Sequence, residues 1–164
     1  MTFNGRYNSI AIGKSTLKDV EKNFGEDYKK DQRTYHINFR DRPNEYWTIN
    51  QIYYPKLGIT FNFFGPNSRK ETVAQIVFTP PFKLPTENGI VIGKSKVRDV
   101  IERYGEGFWN AGNLFYSRNL SIRYNGITFR VNKKVTMDEV DALDKAQFHH
   151  LKITEIVLNK PDEE

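Results

Sequence analysis

The 164-residue chain contains no cysteine and only two methionines, and it has no apolar run near the roughly 18 residues a membrane span requires. Without cysteine there are no disulfides, no thiolate metal sites and no thiol nucleophiles. The opening MTFNGRYNSIAIGKS is polar with only a short apolar patch. It reads as neither a membrane span nor a signal peptide, so the expected location is the cytoplasm. No G-x-S-x-G turn is present for a serine nucleophile. Two GKS triplets, at 13–15 and 93–95, lack the glycine that a phosphate loop sets about five residues upstream, where Asn8 and Asn88 stand instead. They read as structural turns. His149 and His150 are adjacent and do not share a helix face, and His36 is remote in sequence. A metal would then need Asp141 or Asp144 beside His149, in a segment whose acids are better explained by the helix dipole. Neither a metal nor a cofactor is implied, and the chain does not read as an enzyme.

What the sequence does contain is itself, twice. SIAIGKSTLKDVEKNFGE at 9–26 returns as GIVIGKSKVRDVIERYGE at 89–106, an offset of 80. QIVFTPP at 75–81 is answered by EIVLNKP at 155–161 at the same offset, and GITF at 58–61 recurs at 126–129. Three matches in one order argue for two copies of a unit, residues 1–82 and 83–164, with TPPFKLPTENG as the linker. Within each unit Ile10 and Ile12 suggest a short strand. The stripes Leu17, Val20, Phe24 and Val97, Val100, Ile101, Tyr104 then predict an amphipathic helix, with Ser15 and Ser95 as its caps and Gly25 and Gly105 as its stops. RTYHINF, EYWTINQIYY, LGITFNFF and VAQIVF alternate as strands, as do NLFYSR, LSIRYNGITFRV and KITEIVL, with Asn125-Gly126 as a hairpin turn. TMDEVDALDKAQFHHL at 136–151 breaks the symmetry as an inserted helix. The expected fold class is α+β: two tandem repeats, each a helix on a four-stranded antiparallel sheet, joined edge to edge into one larger curved sheet.

The order of strand, I-x-I-G-K-S, amphipathic helix, F/Y-G-E and antiparallel strands, occurring twice, resembles the tandem repeat of the beta-lactamase inhibitor protein family. In pattern it is also similar to the single-copy domain of small outer-membrane assembly lipoproteins. This chain departs from both, with about one residue more between Gly13 and Gly25 than the lipoprotein version, no stapling cysteines and no lipid-attachment cysteine. The resemblance implies a non-catalytic surface that binds another protein through the open face of a sheet.

Aromatic residues make up 14% of the chain. Tyr35, Phe39, Ile59, Phe61, Phe63, Ile76 and Phe78 alternate as a core. Trp47, Tyr53, Tyr54, Trp109, Tyr116 and Tyr124 lie among Asn, Gln, Ser and Arg, and at least three of them are expected on the uncovered face, where rigid amphipathic rings bind partners. The alternative is that they pack beneath the 136–151 helix. Net charge is +5, of which +4 lies in residues 1–82, where Arg33, Arg40 and Arg42 fall near Lys29 and Lys30. Arg40 and Arg42 are the expected contacts to an acidic rim. The function this supports is that of an immunity protein or inhibitor, made in the bacterial cytoplasm, that occludes a toxin or enzyme. A single-stranded nucleic-acid binder is the rival, disfavoured because no basic run exceeds two residues; a carboxylate enzyme comes third. No membrane partner is expected.

Overall fold

A computed structural model describes residues 5–39, 42–66, 72–111, 119–136, 138, 140 and 145–161, with the side chains of 34–39, 42–47, 65 and 66 outside the description. A two-stranded ribbon of β1 (Arg6–Tyr7) and β2 (Ile10–Ala11) opens the chain. Helix α1 (Leu17–Phe24) follows, then β3 (Lys29–Phe39), β4 (Arg42–Tyr54), β5 (Ile59–Pro66) and β6 (Val73–Phe78). The second half has α2 (Val97–Tyr104), β7 (Phe108–Asn110), β8 (Asn119–Tyr124), β9 (Ile127–Lys134), a 3-10 turn at Lys145–Phe148 and β10 (Ile153–Asn159). The class is α+β: the described residues form two α-helices and one eight-stranded sheet in the order β3-β4-β5-β6-β10-β9-β8-β7, every pair antiparallel.

Both helices begin by the same chemistry, and it is not the one expected. Ser15 and Ser95 are not the caps. Their hydroxyls accept the Ala11 and Val91 amides at 3.0 Å, closing the turn before the helix. The caps are Thr16 and Lys96, whose N–H groups donate to Asp19 and Asp99 at 2.7 Å. A carboxylate three residues into the helix thus satisfies the otherwise orphaned donor. The Thr16 N–H also holds the Asp19 carboxyl below the usual carboxylate range. Gly25 and Gly105 end the helices at φ of 79° and 78°, where a side chain would be strained.

The helices cover one face of the sheet. Phe24 packs at a tilt against Phe61 and Tyr54 at 5.2 and 5.7 Å, and Tyr104 meets Phe129 at 5.0 Å. Val20 and Val100 are fully buried beside them. Alternation along the strands sends Ile52, Tyr54, Ile59, Phe61, Ile76, Phe78, Ile127, Phe129, Ile156 and Leu158 to this side, each large side chain contributing about 1.5–3 kcal/mol by leaving water. The expected linker is not a free tether. Phe82 is buried against Phe78 at 4.5 Å, Thr86 is buried, and the Thr79 amide donates to the Gly58 carbonyl at 2.9 Å. A Cβ on Gly58 would lie 2.1 Å from the Thr79 oxygen, which explains glycine there. In the 136–151 insertion, Val140 donates to Thr136 at 3.1 Å, and a 3-10 turn replaces continuous helix at 145–148. Residues 137, 139 and 141–144 of the expected helix, and NLFYSR at 113–118, lie outside the described residues.

Candidate functional site

Register defines the second, helix-free face. One row crosses all eight strands, from Lys29 through Tyr53, Thr60, Val77, Val157, Thr128 and Arg123 to Phe108. The next row runs Asp31, Gln51, Asn62, Gln75, Asn159. Its amides are linked head to tail: Gln51 donates to Asn62 at 2.9 Å, Asn62 to Gln75 at 2.9 Å, Gln75 to Asn159 at 2.8 Å, and Asn159 to Thr128 at 3.3 Å. Asn62 and Gln75 are only 3% and 6% exposed, so these bonds settle amides that would otherwise be costly to bury. In the second half the corresponding row is Glu155, Arg130, Ser121 and Asn110, in which Arg130 donates to Glu155 as a short, partly buried ion pair.

The structure redistributes the six expected rings. Tyr54, Trp109 and Tyr124 are not on the helix-free face, which corrects the expectation for these three. Tyr54, 3% exposed, donates its hydroxyl to the Gly25 carbonyl at 2.6 Å. Tyr124 does the same to Gly105 at 2.8 Å. Each phenol thereby satisfies a carbonyl left over where a helix ends. Burial pushes both hydroxyls up to about 12, and nearby acids add to the shift: Glu21 and Glu26 along with Tyr28 for Tyr54, Glu106 along with Tyr104 for Tyr124. Trp109, 4% exposed, lies 6.1 Å from Phe148 with the Lys145 ammonium 5.8 Å from its ring centre, so it packs under the 136–151 insertion. Tyr53 does lie on the helix-free face, half-buried. The Trp47 backbone pairs with Tyr35 and Pro66, and the Arg42 backbone with Phe39, but both side chains lie outside the description. Arg40 and Tyr116 lie outside the described residues.

The residues that reading the sequence missed are the amides and Phe108, which is 64% exposed at the end of the long row. A polar planar residue at an outward position of strand after strand, Asn62 and Gln75 between apolar neighbours and Asn159 after Leu158, was the available signal. A depression of about 560 Å³ opens at the β3-β4-β5 end, lined by Lys29, Lys30, Asp31, Gln51, Tyr53 and Thr60. A smaller one of about 230 Å³ at the other end is lined by Phe108, Arg123, Tyr124 and Asn125.

The GKS turns have no amides to offer a phosphate. Gly13, Lys14 and Ser15 N–H groups are taken by the carbonyls of Val73 and Ala11, and those of Gly93, Lys94 and Ser95 by Ile153 and Val91, at 2.7–3.2 Å. No helix of the described residues is long and apolar enough to cross a membrane.

The fold these elements define is a pair of helices on one side of a broad antiparallel sheet. Among solved structures the chain is similar to the crystal structure of the uncharacterized protein yfeY from Escherichia coli, with a TM-score of 0.56 and 12% identity over 92% of each chain. At that identity the likeness concerns the fold alone. No protein-family model matches the chain, and no curated protein matches it.

Proposed function

We propose that this is a non-catalytic binding protein that holds another protein against the helix-free face of its sheet, in the specific form of an immunity protein or inhibitor that occludes a toxin or enzyme. The observation that carries this reading is the row crossing all eight strands, with a ring beside a cation at both ends: Tyr53 by Lys29 and Phe108 by Arg123. Rings at the ends of a polar face are what partner surfaces use as anchors, and the cations around them suit an acidic rim. We also propose that the chain is a duplicated unit. Its support is recurrence at an offset of 80: the Gly13–Val73 and Gly93–Ile153 backbone bonds, both 2.7 Å, and the Thr16–Thr72 and Lys96–Lys152 bridges.

The test is capture of a partner from the native lysate by the intact chain, repeated with Tyr53→Ala plus Phe108→Ala and, as a control on the other face, Tyr54→Phe. Trp47→Ala belongs in the same panel. The wild type and the control retain the partner, and the double variant weakens it at least tenfold. Equal retention by all, or no retained protein, overturns the reading. Single-stranded nucleic acid is the second reading, favoured by the absence of any acid from the long row. Saturable binding that weakens steeply with salt supports it; a flat titration removes it.

A further inference from the structure

The two edges of the sheet are finished differently. β7 is three residues long, too short to template another strand. β3 runs for 11 residues with no proline or glycine, and it pairs with β4 without a register shift from Lys29 to Ile37. Among the described residues no strand lies on its other side, so alternate N–H and C=O groups along it point outward. Long edges of this kind are commonly guarded by charge of one sign or by a bulge. This one carries both signs. Asp31 and Arg33 are two residues apart and so share the helix-free face; each is more than half exposed, and they pair with each other at 2.9 Å.

We propose that β3 is the interface of a homodimer, in which the β3 strands of two copies pair antiparallel about Gln32 and the two sheets continue into one. Adjacent antiparallel strands are related by a twofold axis normal to the sheet, so side chains directly opposite each other share a face. Two copies can therefore pair only with a residue on the axis opposite itself. Centred on Gln32, Asp31 of each copy lies opposite Arg33 of the other, Lys30 opposite Thr34 and Lys29 opposite Tyr35. Moving the centre to Asp31 sets that carboxylate against its own copy and Lys29 against Arg33, while centres on Lys30 or Arg33 oppose like cations. Unlike charges directly opposite stabilise a strand pair and like charges destabilise it, so the Gln32 register is selected. In it the two carboxylates and two guanidiniums alternate around a square, each charge beside one opposite charge on its own strand and another across the axis. The twofold keeps both pairs of helices on one side and makes the helix-free faces continuous on the other. This inference holds whatever that face binds.

Sedimentation equilibrium of the intact chain gives a concentration-dependent dimer, with a dissociation constant in roughly the micromolar range for an interface this small. Arg33→Asp brings four carboxylates together at the axis and weakens the dimer about tenfold or more. Asp31→Arg combined with Arg33→Asp exchanges the signs, keeps the alternation and restores the dimer to within about threefold of wild type. Circular dichroism checks that each variant is folded. Register is read separately, because the chain has no cysteine of its own. Gln32→Cys places one thiol of each copy at the axis, where a short bismaleimide joins them. Lys30→Cys sets its two thiols about 13 Å apart along the strands and gives no joined product. A monomer at every concentration up to about 1 mM overturns the proposal. So does a dimer that Arg33→Asp does not weaken or that the exchange does not restore, and so does equal cross-linking at positions 30 and 32.

Discussion

The two halves of the helix-free face solve one problem with different chemistry. Where the strands of residues 59–78 cross, Asn62 donates to Gln75; where those of 127–159 cross, Arg130 donates to Glu155. The positions correspond, since Gln75 and Glu155 are 80 apart and Asn62 and Arg130 follow the two GITF segments. Each pair fills a space in which a lone polar group would be unsatisfied. The amide pair does so without charge and passes its polarity on to Asn159 and so to the other half; the ion pair is self-contained. Backbone register can therefore be held constant while the electrostatics of a surface are changed residue by residue.

The sharpest way to break the comparison is to exchange the chemistries. Gln75→Glu places a carboxylate in a buried row with no cation and removes the donor to Asn159, which costs about 3 kcal/mol at neutral pH in urea unfolding. That carboxyl is raised in the folded state, so the penalty is present above the unfolded carboxylate range and fades as pH falls and the group takes a proton. The reverse exchange, Glu155→Gln, keeps shape and an acceptor for Arg130 and costs about 1.5 kcal/mol, less at molar salt. If both exchanges cost the same and neither responds to salt, the two rows are not chemically distinct.

A smaller effect tests where the halves agree. Tyr54 and Tyr124 hold equivalent helix-end carbonyls and both phenols are pushed up to about 12. A phenol whose folded value lies above its unfolded value near 10 gives stability that is complete below pH 10 and lost as pH climbs toward 12. For Tyr54 that loss is about 1 kcal/mol at pH 11. Tyr54→Phe lowers stability by about 1 kcal/mol at pH 8 and flattens the curve between pH 9 and 11, and Tyr124→Phe does the same less strongly, its ring being more exposed. Unchanged alkaline unfolding in both variants would remove the clamp. Least of all, Tyr53→Ala changes stability by under about 0.5 kcal/mol, because its ring lies on the helix-free side. A larger loss would mean that Tyr53 is core.

Reading the sequence placed strands at 33–39, 45–54, 57–64, 73–78, 120–131 and 152–158, each overlapping strands of the structure, and both helices, because alternation and the three-four stripe survive any tertiary context. Serine caps went wrong for a local reason. A serine just before a helix can serve the turn behind it as well as the helix ahead, and here Asp19 and Asp99 had already taken the helix role. The assignments of Tyr54, Trp109 and Tyr124 went wrong for a register reason. Tyr53 and Tyr54 are adjacent, so the pleat must send them to opposite faces, and composition around them does not say which goes where.

The order of apolar and polar residues by itself determined that this chain makes helices and antiparallel strands, and that similar segments recur 80 residues apart, because those properties depend only on near neighbours along the chain. Only the tertiary structure decided that Gln51, Asn62, Gln75 and Asn159 join into one row, that Tyr54 and Tyr124 clamp helix ends, and that Lys29, Tyr53 and Thr60 share a depression. Such juxtapositions come from strand order and register, and at the β6–β10 pairing they bring together residues as far apart as Gln75 and Asn159, 84 positions. Their energy lies in pairing buried polar groups that no local pattern can match in advance.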